Sequence, residues 1–148
     1  MDEVPGLIVK LAENPAEQRE AAAVRFRVFV EEQGVPPEEE YDEYDSVAVH
    51  AIALQDRQVI GTGRFYSLES GEARIGRMAV DATWRRSGVG GIILSLLEEE
   101  ARRQGLRAAV LHAQTYVQAF YAGHGYLPVG PVFMEAGIEH VTMRKTLA

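Results

Sequence analysis

Arg85, Gly88 and Gly90 stand as R-x-x-G-x-G within residues 75–100, IGRMAVDATWRRSGVGGIILSLLEEE. A strand pattern there runs into a polar turn, a glycine cluster and a strong helix pattern. This arrangement suits the holding of a phosphate. Glycines let backbone approach an anion closely, and the first N–H groups of the helix behind them are unpaired. The helix dipole adds positive potential, and Arg85 and Arg86 add full charges. A nucleoside-triphosphate loop needs a Gly-Lys pair, which this chain lacks, and a dinucleotide fingerprint needs glycine where Ile93 stands. A glycine turn that only caps a helix is the plain alternative.

Candidate proton carriers are scattered along the chain. Glu32, Asp45, His112 and His140 are possible bases, and Tyr121 is a possible acid. Glu32 falls near the end of a helix pattern, where a carboxylate meets the negative pole and its pKa is expected to rise. His112 sits in a short apolar strand pattern, which favours a satisfied core histidine, and His50 and His124 read as structural or exposed. Tyr121 beside Phe120 reads equally as a packed aromatic. The absence of cysteine excludes disulfides, thiolate metal sites and a covalent cysteine intermediate. No Ser-His-Asp arrangement is evident, and no histidine spacing suggests a metal site.

The bulk properties bound the function further. A chain of 148 residues, 47% hydrophobic and 25% charged, suggests one soluble domain with a proper core. The net charge of −7 argues against non-specific nucleic-acid binding. No apolar run approaches about 18 residues, which argues against a membrane span, and no leader pattern opens the chain. These features fit a cytoplasmic protein.

The elements that must position these residues read as follows. Residues 7–12 form a first strand. Asn14, Pro15 and Glu17 open a helix with cap, first-turn proline and capping acid, running to about Gln33, with Ala22, Phe26, Phe29 and Val30 as its inner face. Gly34 and Pro36-Pro37 end it. Residues 36–46, PPEEEYDEYDS, are an acidic loop that either is simply solvated or borders a pocket and attracts a cationic amine. Strands follow at 47–54, 59–68 and 73–80 as a meander, the last with Ile75, Arg77 and Ala79 on one face. The post-glycine helix turns Ile92, Ile93, Leu96 and Leu97 inward, pairs Glu98 with Arg102 and Glu99 with Arg103 outside, and stops at Gly105. A buried strand at 108–113, a short helix at 114–124 and a closing hairpin, 126–134 and 139–147, complete the order β-α-β-β-β-α-β-α-β-β. This is an α/β domain with a mixed, mostly antiparallel sheet. An edge strand of it leaves a homodimer possible.

Two features coincide on this frame. The glycine loop lies between the fourth strand and a helix, and Gln114-x₄-Ala119-Phe120-Tyr121-x₃-Gly125-Tyr126 follows later. Together with the element order they resemble the GNAT family of N-acetyltransferases across nearly the whole chain. Arg25-x-x-Val28-Phe29-Val30-x-Glu32-Gln33, Ala113-Gln114 and Gly137-Ile138-x-His140-x-x-Met143 resemble its ElaA/YjcF-type branch. Gln114 departs from the asparagine usual in the wider family, which moves the amide outward by one carbon.

The resemblance implies an acetyl transfer from acetyl-CoA to an amine of a small molecule or peptide by direct attack, without a metal. By it, the backbone of Met78, Ala79 and Val80 pairs with the pantetheine arm along a strand that splays from its neighbour. Arg85, Arg86, Ser87, Gly88, Val89, Gly90 and Gly91 wrap the pyrophosphate, Gln114 and Phe120 line the cofactor, and Tyr121 is the general acid. The resemblance does not fix the base, for which Glu32 and then His140 lead the four candidates above. A non-catalytic acyl-CoA-binding module and an acyl-homoserine-lactone-type synthase are the alternatives.

Overall fold

The computed structural model describes residues 4–147; the outermost ends of the expected 1–148 domain lie outside the described residues. Its strands are β1 Ile8–Leu11, β2 Val49–Gln55, β3 Gln58–Ser67, β4 Glu72–Val80, β5 Ala108–Gln114, β6 Leu127–Pro128, β7 Phe133–Glu135 and β8 Ile138–Thr146. The helices are α1 Pro15–Arg25, α2 Pro37–Glu40, α3 Val89–Arg103 and α4 Gln118–Ala122. The strands form one sheet in the order β1-β2-β3-β4-β5-β8-β6, with β7 also on β8. Every pairing is antiparallel except β4 with β5. The expected mixed sheet and element order are what the chain forms. The expected continuous strand at 126–134 instead breaks into β6 and β7.

The start of α1 follows its sequence closely. The Asn14 side chain accepts from the Glu17 amide at 2.9 Å, and the Glu17 carboxylate accepts from the Glu13 amide at 2.8 Å. The helix then widens into a π-helical segment, Phe26–Glu32, and ends at Gly34, whose φ of 76° is a left-handed conformation suited to glycine. Its inner face is not the expected one. Ala21, Val24, Arg25 and Val28 are buried at helical spacing, while Phe26 is 44% exposed. The inward residue that apolar periodicity could not count is an arginine.

The same cause changes α3. Val89, Ile93, Leu94, Leu97, Glu98 and Ala101 face inward, and Ile92 is exposed. Glu98 turns into the core rather than toward Arg102. It accepts from the Tyr126 hydroxyl at 2.8 Å and from Lys145 Nζ at 2.9 Å. Arg103 pairs with Glu100, not Glu99.

Two apolar layers cover the sheet. One joins α3, Tyr121 and Tyr126 to Ala73, Ile75, Leu111, Ala113, Val141 and Met143. The other joins Ala21, Val24 and Val28 to Ile52, Val59 and Ala79. Ile75 and Ala79 therefore lie on opposite faces, against the expectation from strict alternation. The reason is a bulge: the β3–β4 register shifts between Thr62 and Arg64, and Arg77 takes a φ of 53°. One extra residue in β4 inverts every side chain beyond it.

Among the described residues, no helix is long and apolar enough to cross a membrane.

A forked sheet and the residues around it

β4 and β5 pair only through Glu72–Ala108, Ala73–Ala109 and Arg74–Val110. Past that point the strands part, and the backbone of residues 75–80 on the β5 side has no strand partner. This is the splay expected of a strand that offers its backbone to a ligand. The β4 bulge lies within the parted stretch, so Met78 and Val80 pack toward the α3 layer. The Val80 carbonyl accepts from Arg85 Nε at 2.9 Å.

The glycine loop stands at the far end of β4. Arg86 and Gly88 take left-handed φ values of 64° and 90°. Gly88 is the N-cap of α3 and no side chain caps that end, so the leading amides of Val89, Gly90 and Gly91 face outward for an anion. Ser87 Oγ bonds the Trp84 carbonyl, which folds the turn on itself. A Cβ on Gly90 would lie 3.4 Å from the Phe120 ring and 4.0 Å from Val80 Cγ2, and one on Gly91 would lie 2.9 Å from His124 Nε2. The loop, the end of β4 and α4 thus meet at one place. Absent side chains at 90 and 91 are what let them meet. These features fit the phosphate end of a nucleotide-like ligand, with the fork receiving its extended arm.

Arg85 and Glu32 meet in a bidentate ion pair, at 2.5 and 2.7 Å. Hydrogen bonding and charge from Arg85 lower the Glu32 pKa below its ordinary value. The helix-end argument that it would rise fails, because a full positive charge in contact outweighs a terminal dipole. Glu32 is held as a partner for Arg85, and Arg85 is not wholly free for a phosphate.

Tyr121 is buried among Phe120 and Tyr126, with ring centroids 5.0 and 5.9 Å away in edge-to-face arrangements. Its hydroxyl makes no hydrogen bond among the described residues. The one sealed and unpaired side-chain polar atom there is Arg64 Nε, so the Tyr121 oxygen reaches open space. Burial pushes its pKa well up, which keeps it a neutral O–H donor across the physiological range.

The acidic loop is bolted down rather than open. Buried Arg25 bonds Glu40 and Asp45, each at 2.5 Å, and buried Arg64 bonds Asp42 at 2.7 Å and Asp45 at 2.8 Å. Arg77 adds contacts to the Glu40 carbonyl at 3.0 Å and to Asp42 at 3.2 Å. Burial alone would raise the Asp45 pKa. The Arg25 hydrogen bonds and charge, the Asp42 amide and the Arg64 charge override it and hold it well below the carboxylate range. With three arginines matching three carboxylates, this part of the loop carries no surplus negative charge to draw in an amine. Any pull on a cationic amine is left to Glu38, Glu39 and Glu43 of the loop, and Asp45 is not an available base.

Leu111 and Ala113 of β5 point into the α3 layer, so His112 and Gln114 point to the opposite face. There Gln114 Nε2 donates to Gln33 Oε1 at 2.9 Å, and Gln33 reaches Tyr116 at 3.2 Å. His112 is part-exposed rather than a core histidine: its Nδ1 lies 2.8 Å from Arg74 Nη2 and 3.0 Å from Glu135 Oε1. His140 is buried behind this group. Its Nδ1 donates to the Ile138 carbonyl at 2.7 Å, and its Nε2 lies 3.6 Å from Glu135 Oε2. Phe133 packs on both imidazoles. Arg74, Phe133 and Glu135 carried no signal in the sequence, and Gln33 figured there only within the branch pattern that ends at it. Glu135 read as a turn residue, whereas it ends β7 and the turn is Ala136-Gly137. Among the described residues no cluster of His, Asp and Glu has the makings of a metal site.

Comparison with known proteins agrees with this arrangement. Residues 13–147 match the model of the acetyltransferase (GNAT) domain. The uncharacterised N-acetyltransferase YjcF of Bacillus subtilis is 38% identical over 136 residues, 91% of this chain and 96% of that protein. The crystal structure of Escherichia coli ElaA superposes with a TM-score of 0.84 at 23% identity, covering 94% of this chain and 99% of that one. An aminoglycoside 6'-N-acetyltransferase solved with coenzyme A shares the fold, with a TM-score of 0.74 at 15% identity over 95% of this chain and 97% of that one.

Proposed function

Since the chain belongs to the GNAT acetyltransferase family, we propose that it moves an acetyl group from acetyl-CoA to an amine of a small molecule or peptide. The whole chain acts as one such domain, in a cytoplasmic setting. The observation that carries this reading is the fork: β4–β5 pairing stops at Arg74 and Val110, and the freed end of β4 leads on to a glycine loop with an uncapped helix end. A strand that loses its neighbour over residues 75–80 leaves backbone groups that a pantetheine arm satisfies in its place. The amides of 89–91, with Arg85 and Arg86 beside them, receive the pyrophosphate. Phe120, against Gly90 and Val80, closes the cofactor channel. Gln114 shares the opposite face with His112 and holds Gln33 across the gap.

The chain supplies what direct attack requires. A free backbone amide in the fork polarises the thioester carbonyl, where charge develops. Tyr121, neutral and unpaired, presents its O–H to the departing thiolate. The amine attacks the thioester itself in this reading, since among the described residues no serine or cysteine nucleophile with its own base stands at the fork. The test is thiol release from acetyl-CoA in the presence of spermidine, phenethylamine, L-lysine or a tripeptide with a free N-terminus. Release that depends on the amine and yields the N-acetyl product supports the reading. Tight acetyl-CoA binding with no amine-dependent release would favour a non-catalytic binding module.

A further inference from the structure

Gly76 lies two residues past the last β4 pair and His112 two residues past its β5 partner, so they face each other where the fork opens. Arg74 and Gly76 alternate with the inward Ala73 and Ile75 and share the face of His112. A Cβ built on Gly76 would meet nothing within 4 Å, so this level of the fork is open space beside the imidazole. From Val80 to Gly76 is about 13 Å of strand, at roughly 3.3 Å per residue. A ligand with its phosphates at the glycine loop and its arm along β4 therefore brings its far, acyl end to His112.

We infer that His112, oriented by Glu135, is the base that takes the proton from the acceptor amine, a role that rests on acetyl transfer being the reaction. The His112 Nε2 has no protein partner among the described residues, while Nδ1 faces two competitors. When Nδ1–H donates to Glu135, Nε2 carries a lone pair toward the open space. When Nδ1 instead accepts from Arg74, Nε2 carries the hydrogen and is no base. Glu135 selects the working tautomer and Arg74 opposes it. The charged and titratable groups facing the imidazole are Arg74 from β4 and Glu135 from β7, with His140 of β8 behind Glu135. The hydrogen bond from His112 holds Glu135 below the ordinary carboxylate range, so it stays the acceptor.

The step balances. The ammonium form of the acceptor gives one proton to His112 Nε2, which later passes it to water. The amine lone pair forms the N–C bond to the acetyl carbonyl, and the C–S bond breaks with its electron pair leaving on sulfur. Tyr121 gives its proton to that sulfur and regains one from the new amide nitrogen. Glu135 and Arg74 are positioning residues; neither touches the acceptor in this scheme.

The experiment measures pH profiles of kcat/KM for whichever of the four named amines releases thiol fastest, in the parent and in His112→Gln, Glu135→Gln and Arg74→Gln. His112→Gln is expected to lower kcat about 10²-fold and to abolish the acidic limb, with KM for acetyl-CoA unchanged. The two charge variants are expected to move that limb in opposite directions. Loss of the negative neighbour in Glu135→Gln moves it to lower pH, and loss of the positive neighbour in Arg74→Gln moves it to higher pH. A merely structural role would move neither, and both changes lie on part-exposed side chains that folding tolerates. His112→Gln within about twofold of the parent, or charge variants that leave the limb in place, would overturn the assignment. Acetyl transfer itself is read from the parent in the same assay and stands or falls separately.

Discussion

Replacing Asp45 by Asn tests whether the arginine–carboxylate cluster fixes the 36–46 loop. The side chain of Asp45 is 6% exposed and sits between Arg25 and Arg64, which are 3% and 4% exposed. Asn keeps the shape and one acceptor oxygen but leaves three arginines against two carboxylates. Removing one partner of a buried ion pair costs about 3–5 kcal/mol, and the lower end applies because Glu40 and Asp42 remain. With a urea m-value of about 2 kcal/mol/M, a 3 kcal/mol loss lowers the unfolding midpoint by about 1.5 M at pH 7. The folded pKa of Asp45 is depressed, so its contribution is present above the unfolded value and is lost as pH falls. The gap between parent and variant should therefore narrow below about pH 4. Urea titrations at pH 7 and pH 3 by circular dichroism check both parts. A midpoint within about 0.3 M of the parent at pH 7, against that expected shift, would refute the argument that the cluster anchors the loop.

Three further outcomes bear on the site. Gly88→Asp places a carboxylate over the α3 amides and a side chain at a φ of 90°, so acetyl-CoA affinity should fall at least about tenfold by calorimetry; unchanged affinity would remove the loop from the binding site. Tyr121→Phe keeps the ring packed and loses the hydroxyl, so kcat should fall about 10²-fold with acetyl-CoA affinity nearly unchanged; turnover within about twofold would return Tyr121 to the core. Glu32→Gln frees Arg85, so turnover should stay within about threefold and acetyl-CoA should bind as well or better. Because Arg85 lowers the Glu32 pKa, the variant should also keep the pH profile above pH 5 unchanged, whereas a 10²-fold loss would make Glu32 the base after all.

The sequence carried the strands, the helix start at Asn14, the glycine loop and the place of Tyr121, because turns, caps and short motifs are local. It did not carry what depends on charge buried inside. Arg25 and Glu98 look like surface residues in any apolar count, yet each faces inward because a partner from a distant segment neutralises it. The misplaced faces of α1 and α3 follow from those two residues. The β4 bulge was hidden for another reason: a single residue of register shift is a property of pairing with β3, not of the strand itself. Glu135 and Arg74 escaped notice because their meaning arises only when β4, β5 and β7 bring them to one imidazole. The acidic loop was legible as a feature but its anchoring was not, since the arginine partners of Glu40, Asp42 and Asp45 come from α1, β3 and β4.

The fork also has a mechanical consequence. The two halves of the sheet are stitched together by a seam of three residue pairs, between Glu72–Arg74 and Ala108–Val110. Beyond the seam, α3, α4 and the apolar layer they share must keep the halves in register. A ligand arm laid along β4 acts as a missing strand and lengthens that seam. At a hundredfold excess over its dissociation constant, a ligand that binds only the folded state adds about 2.7 kcal/mol. That is a sizeable fraction of the roughly 5–15 kcal/mol that holds a typical domain folded. A ligand seated in this way is therefore expected to protect the folded chain from proteolysis as well as to raise its unfolding midpoint.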